Sequence, residues 1–224
     1  MTGYRLQLPD GWVRARLAGD LDRAVRDVVE RTLPRSEFGD SDGAVARQRL
    51  RDDLRKAFSA AVDAGAVDMY SHEGEIDGVR LPMSFSVSVA HLGLSVGHLP
   101  LETFAEGLAG PGDARVLDLP AGTVIRIERT TWEAARDAGH RADSPATTVQ
   151  GITDESRRAI AIMDRFVEDN ADVEVSQTTV DYLLPIPGEV GTFVLVSLVA
   201  PGAADVDARV AHFDVLMAGF GWTR

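Results

Sequence analysis

The residues Gly93-Leu94-Ser95-Val96-Gly97 satisfy the pattern G-x-S-x-G, in which a serine on a tight strand-to-helix turn attacks an acyl carbon. Such a serine needs a histidine to take its proton and an acid to orient that histidine. His98 is adjacent. Of the later histidines, His140 falls in a polar loop and His212 lies beside the apolar stripe of a helix. A serine hydrolase using Ser95, with His98 or His212 as base, is therefore one reading. The surrounding pattern argues against it. The strand before Gly93 alternates apolar and polar residues, whereas an elbow strand is parallel and buried, and the next helical pattern starts only after Pro100. A Gly-rich chain carries such a match by chance, so no catalytic residue is expected.

Other chemistries lack their residues. Asp40-Ser41-Asp42-Gly43 looks like the middle of a calcium loop. The full pattern requires an acid before Asp40 and a glutamate after Gly43, where Phe38 and Arg49 stand. His72, His91, His98, His140 and His212 show no metal-ligand spacing, so no metal is expected. There is no cysteine, which removes disulfides, thiolate zinc sites and Cys nucleophiles. Lys56 is the only lysine, on a helix face expected to meet solvent, so Schiff-base chemistry has no evident residue. No dinucleotide or nucleoside-triphosphate motif occurs, and no cofactor is expected. The net charge of −12 repels phosphate backbones, so nucleic acid is not an expected partner.

No stretch approaches the roughly 18 apolar residues of a membrane span. The longest apolar run is Phe193–Ala200, broken by Ser197. Met1-Thr2-Gly3-Tyr4-Arg5 lacks the basic-then-apolar pattern of a signal peptide. With no cysteine, the expectation is a soluble cytoplasmic protein.

The elements that would position these residues follow from periodicity. Tyr4–Leu8 alternates as a strand, and Pro9-Asp10-Gly11 turns it toward Trp12-Val13. Leu17, Leu21, Ala24, Val25 and Val28 recur at helical spacing until Pro34. Asp42 can cap a second helix whose apolar stripe is Val45, Leu50, Leu54, Ala57, Phe58, Ala61 and Val62, with Gly65 as its C-terminal cap. Its other face, with Arg47, Arg51, Asp52, Arg55 and Lys56, is expected to be solvated. Val67–His72 is a strand, and Asp77-Gly78 signals a hairpin.

The clearest strand follows. Val79, Leu81, Met83, Phe85, Val87 and Val89 point one way, and Arg80, Pro82, Ser84, Ser86, Ser88 and Ala90 the other. One buried and one wet face favour an antiparallel sheet. Pro82 suggests an edge strand or a bulge. Leu101–Leu108 is a short helix, and Arg115–Leu119 and Thr123–Trp132 are strands joined at Pro120-Ala121-Gly122. Glu133–Gln150 reads as a polar loop, and Thr153–Glu168 as either helix or strand. Val173–Leu184 and Thr192–Val199 are strands, the second apolar enough for the sheet centre. Val206, Val210, Phe213, Met217 and Phe220 line one face of a final helix. With no linker, residues 1–224 are expected to form a single α+β domain, an antiparallel sheet with helices packed on it.

Three phrases carry a resemblance. Leu8-Pro9-Asp10-Gly11-Trp12 follows the first strand, Val180–Gly188 and Phe193–Pro201 form a strand-turn-strand, and the last helix ends in Phe220-Gly221-Trp222. This arrangement resembles small actinobacterial proteins of the Mog1/PsbP-like fold. The helix at Asp42–Ala64 and the segment Gly151–Glu168 fall outside the resemblance. Members of that family are mostly non-enzymatic binding or accessory proteins, some near specialised secretion systems. The resemblance implies a protein-binding accessory or adaptor, serving secretion or toxin control, with a protein partner and no catalytic residues. The face of Ser84, Ser86 and Ser88 and the loop carrying His140 are the expected contact surfaces. A homodimer through the Pro82 edge is a further expectation, and a small-molecule binding protein a third class.

Overall fold

The computed structural model describes residues 3–38, 41–72, 83–110, 112–134, 174–201 and 206–223. The chain forms two compact units. One comprises Met1–Arg14, Gly65–Thr131 and Ser176–Arg224, the other Ala15–Ala64 and Trp132–Val175.

The first unit is built on a sheet. Its strands are β2 (Trp12–Arg16), β3 (Ala66–His72), β4 (Met83–His91), β5 (Asp113–Leu119), β6 (Gly122–Ala134), β7 (Glu174–Pro185) and β8 (Thr192–Pro201). They lie in the order β2-β3-β4-β8-β7-β6-β5. The registers of β3 with β4, β4 with β8, β8 with β7 and β5 with β6 are all antiparallel. The fold is α+β, and β8 takes the central place that its apolar run predicts.

Alternation sets the two faces of β4. Met83, Phe85 and Val87 are buried, while Ser84, Ser86 and Ser88 are half-buried. Val89 departs from the expected stripe and is 36 % exposed, one residue past the end of the register with β3. Phe85 and Val87 stand in register with Leu198 and Val196 of β8, which pair with Val180 and Tyr182 of β7. Helix α5 (Val206–Ala218) covers this face with Val210, Phe213, Leu216 and Met217. The opposite face receives α4 (Leu101–Ala109), whose Phe104 and Ala105 pack on Ile125, Ile127, Leu183 and Phe193.

Several further expectations change. The strand that follows Pro82 is not an edge, because β3 bonds one side of β4 and β8 the other. Over Phe85–Ser88 no free backbone remains for a second copy, and Pro82 itself lies outside the described residues. The final helix stops at Ala218, and Phe220–Thr223 forms β9, which pairs with β1 (Gly3–Leu6) in a separate two-stranded ribbon. Phe220 is buried there by stacking on Tyr4, and Trp222 donates to the Ala121 carbonyl at 3.0 Å. Leu94–Gly97 is a helical turn, α3, where only an irregular connection was expected. The Asp77-Gly78 hairpin, residues 135–150 and Thr153–Glu168 lie outside the described residues, while Glu133 and Ala134 end β6.

The second unit holds α1 (Leu21–Thr32) and α2 (Ser41–Asp63). Asp20 caps α1 by accepting from the Arg23 amide at 2.9 Å. Val25, Val29, Leu33, Ala46, Leu50, Leu54 and Phe58 are buried, while Val45 and Val62 are exposed. The buried seam recurs every fourth residue from Ala46 to Phe58, so Val45 falls to its side, while Val62 keeps the spacing but stands exposed at the end of α2. Arg47 is buried rather than solvated. It donates to the Leu33 carbonyl and, at 2.6 Å, to Glu30, and so ties the start of α2 to the end of α1. Among the described residues no helix is long and apolar enough to cross a membrane.

Candidate functional site

Three groups of charged side chains lie inside the first unit. Asp68 on β3 is buried, and Arg14 on β2 grips it with two bonds of 2.8 and 2.6 Å. Tyr4 donates its hydroxyl to the same carboxylate, and the Arg14 guanidinium lies over the rings of Tyr4 and Tyr70. In the second group, Asp214 on α5 accepts from Tyr182 at 2.8 Å and from Arg126 at 3.0 Å. Arg126 also reaches Glu128 at 2.8 Å. In the third, Asp181 on β7 accepts from Ser197 at 2.5 Å and from Arg129 at 3.0 Å. Arg129 donates its other nitrogen to the Leu108 carbonyl at 2.9 Å, near the end of α4.

These arrangements hold charge in place. Each central carboxylate has an arginine partner and a hydroxyl donor, so both of its oxygens accept a hydrogen bond. Burial, followed by the bond to Asp68, pushes the Tyr4 hydroxyl well above its usual range. Burial and then Asp214 do the same to Tyr182. Burial alone would lower Arg126, but its bonds to Asp214 and Glu128 outweigh that and raise it. The two raised tyrosines give a pH prediction. A tyrosine in an unfolded chain ionises near about pH 10. Because the folded values are higher, the stabilisation is fully present below that pH and is lost as pH rises above it. In an alkaline titration, the phenolate absorbance of Tyr4 and Tyr182 should appear only together with unfolding. Full reversible ionisation of all tyrosines near pH 10 in a still-folded chain would contradict the described packing.

One serine of the β4 face, Ser86, lines up with the third group. Ser86 stands in register with Ser197, and Ser197 with Asp181. A polar row thus crosses three strands and ends on Arg129, which secures α4. Sequence alternation marked Ser84, Ser86 and Ser88 as polar. It gave no sign of Asp181 and Arg129, which come from distant strands. His140 lies outside the described residues.

Of the histidines considered as a base, His212 lies against Trp12 and His72. His212 on α5 stacks on Trp12 at 6.4 Å and lies 6.5 Å from the His72 ring. Trp12 in turn is 5.1 Å from Phe85, early in β4. Trp12 Nε1 and His72 Nδ1 are buried there, and among the described residues neither has a hydrogen-bond partner. Ser95 lies beyond the other end of β4. From Phe85 to His91 an extended strand covers about 20 Å, so His212 and Ser95 are not neighbours. His98 follows α3 at an exposed position, and among the described residues it makes no hydrogen bond or ion pair with an acid.

The two motif glycines have a structural reason. Gly93 has φ +84°, which turns the chain out of β4. A Cβ on Gly97 would stand 2.4 Å from the Gly191 nitrogen, and one on Gly191 would stand 2.2 Å from the Gly93 carbonyl oxygen. The Leu92 amide also donates to the Gly191 carbonyl at 2.8 Å. Backbone therefore packs directly on backbone between the β4–α4 connection and the β7–β8 hairpin.

The two segments joined by that contact carry exposed aliphatic side chains. Leu94 is 68 % exposed, Val190 51 %, Leu99 46 % and Leu92 38 %. The signal was present in the spacing of Leu92, Leu94 and Leu99, but it coincided with the G-x-S-x-G match. A surface depression along α2, lined by Asp52, Arg55, Lys56 and Asp63 among others, mixes charge signs, and Arg55 is engaged by Asp22 at 2.8 Å. Among the described residues no group of three or more His, Asp or Glu is placed to hold a metal ion. Compared with known protein families and with curated proteins, the chain gives no match.

Proposed function

We propose that the protein is a non-enzymatic accessory protein of the cytosol that binds a protein partner through the apolar end formed by Leu92, Leu94, Leu99 and Val190. The observation that carries this reading is the exposure of Leu94 and Val190 on two segments locked together by backbone contact. Clustered aliphatic side chains left in water represent unrealised burial, at about 25 cal/mol per Å2 of apolar area. A surface already held in shape loses little freedom when a partner arrives. Helices on both faces of an antiparallel sheet support grouping the chain with the Mog1/PsbP-like proteins, and that resemblance in turn implies a binding role. The serine-hydrolase alternative has less support, since among the described residues His98 makes no hydrogen bond or ion pair with an acid and His212 stacks on Trp12.

The test is affinity purification of the tagged chain from its host, as wild type and as the double variant Leu94→Ser, Val190→Ser. Expected is a stoichiometric protein that accompanies the wild type and is lost from the variant. Labelling of Ser95 by a fluorophosphonate probe would overturn the non-enzymatic assignment.

A further inference from the structure

We infer that the partner segment seated on this apolar end is itself apolar and flanked by arginine or lysine; the inference rests on the binding role proposed above. It comes from the charges that share the two segments. From Met83 to Ala114 the chain has no Arg or Lys, and from Tyr182 to Pro201 it again has none. The acids in these stretches include Glu102 and Glu106, exposed on α4, and Glu189, exposed beside Val190. The only other ionisable side chains close to the aliphatic group in sequence are His91 and His98, both exposed. The two segments that carry the apolar end therefore contribute carboxylates and no fixed cation of their own.

Charge complementarity selects among the occupants. An acidic partner would meet both these carboxylates and a net charge of −12. A second copy joined about a twofold axis would set the same carboxylates against themselves. An anionic membrane would be repelled in the same way. A basic-flanked apolar segment gains on both counts: its aliphatic residues cover Leu94 and Val190, and its cations meet Glu102 and Glu189. Exposed pairs of this kind are individually weak and salt-sensitive, so they choose the partner more than they hold it.

Two synthetic amphipathic helical peptides with the same leucine face test this, one with a lysine polar face and one with a glutamate polar face. Each is titrated into the full chain by fluorescence anisotropy. The leucine–lysine peptide is expected to bind about tenfold tighter or more at low salt. The Leu94→Ser, Val190→Ser variant keeps the net charge and should lose about tenfold of that affinity. The Glu102→Gln, Glu189→Gln variant should narrow the preference between the peptides to about threefold. All four substitutions are at exposed positions, and unchanged melting temperatures confirm that the fold persists.

Equal binding of the two peptides overturns the inference. So does leucine–lysine binding that ignores Leu94→Ser, Val190→Ser, which would mark generic attraction to an acidic surface. Binding of phosphatidylcholine vesicles in place of either peptide would put a lipid surface there instead and also overturn it. If the peptides are not distinguished but host capture still depends on Leu94 and Val190, the charge inference falls and the binding role stands. If capture depends on neither, both fall.

Discussion

Phe213→Ala is expected to destabilise the first unit by about 3–5 kcal/mol, the cost of removing a large aromatic ring from a close-packed interior. Phe213 is fully buried on α5. Its ring centroid is 5.5 Å from that of Phe85 on β4 and 5.7 Å, edge-on, from that of Tyr182 on β7. It is therefore a contact through which the last helix holds two strands that are not adjacent, since β8 lies between them. Truncation leaves a void, and the flanking backbone is fixed by the sheet, so little collapse can offset it. For a chain of this size, each kcal/mol moves the melting temperature by about 2–4 °C, which gives a fall of about 6–20 °C. Phe213→Leu keeps much of the volume and should cost about 1.5 kcal/mol or less. The check is thermal denaturation followed by near-ultraviolet circular dichroism, which senses these rings. A Phe213→Ala protein that melts within about 2 °C of wild type would mean that α5 does not dock on the sheet in this way.

Local periodicity recovered most of this architecture. The alternation through Met83, Phe85 and Val87, the apolar run of β8 and the spacing of Val210, Phe213 and Met217 each demand one burial pattern, and the structure satisfies all three. Errors arose where spacing fits two states. Phe220 lies three residues past Met217 and fits a helical face, yet Gly219 ends the helix and Phe220 is buried from a strand. Its real partner, Tyr4, is at the other end of the sequence, and no local pattern reports such a pairing. Arg47 looked solvated because its neighbours on α2 are charged. Its burial depends on the unpaired Leu33 carbonyl at the end of α1, which makes a demand that only the folded helix pair reveals.

The candidate site was less legible for a related reason. Ser86 could be read as polar, but not as one member of a row with Ser197, Asp181 and Arg129, because register between strands is a long-range property. The pattern G-x-S-x-G was legible, but the close backbone approach that its glycines make was not. A glycine in that position suits a reactive turn and a close backbone approach alike, and sequence alone does not distinguish them. The described geometry favours close approach, and its cost can be measured.

Gly191→Ala is expected to destabilise the protein by about 2–5 kcal/mol, the sum of a left-handed backbone penalty and forced overpacking. Gly191 has φ +72°, and its added Cβ would meet the Gly93 carbonyl oxygen at 2.2 Å and the Gly93 carbonyl carbon at 2.6 Å. These are backbone atoms, so no side chain can swing aside. Either the β7–β8 hairpin or the turn into α3 must move. Gly93→Ala provides the comparison: its φ is +84°, but a Cβ there meets nothing within 4 Å. It should cost only the backbone term, about 1–2 kcal/mol. Thermal melts should therefore rank Gly191→Ala well below Gly93→Ala. The same variants bear on function, because displacing α3 moves Leu94 away from Val190. Gly191→Ala should weaken binding of the leucine–lysine peptide under conditions where the chain is still folded, while Gly93→Ala weakens it less. Equal stability of the two variants would remove the backbone contact as the reason for the glycines, and with it the preformed surface on which partner binding is proposed to depend.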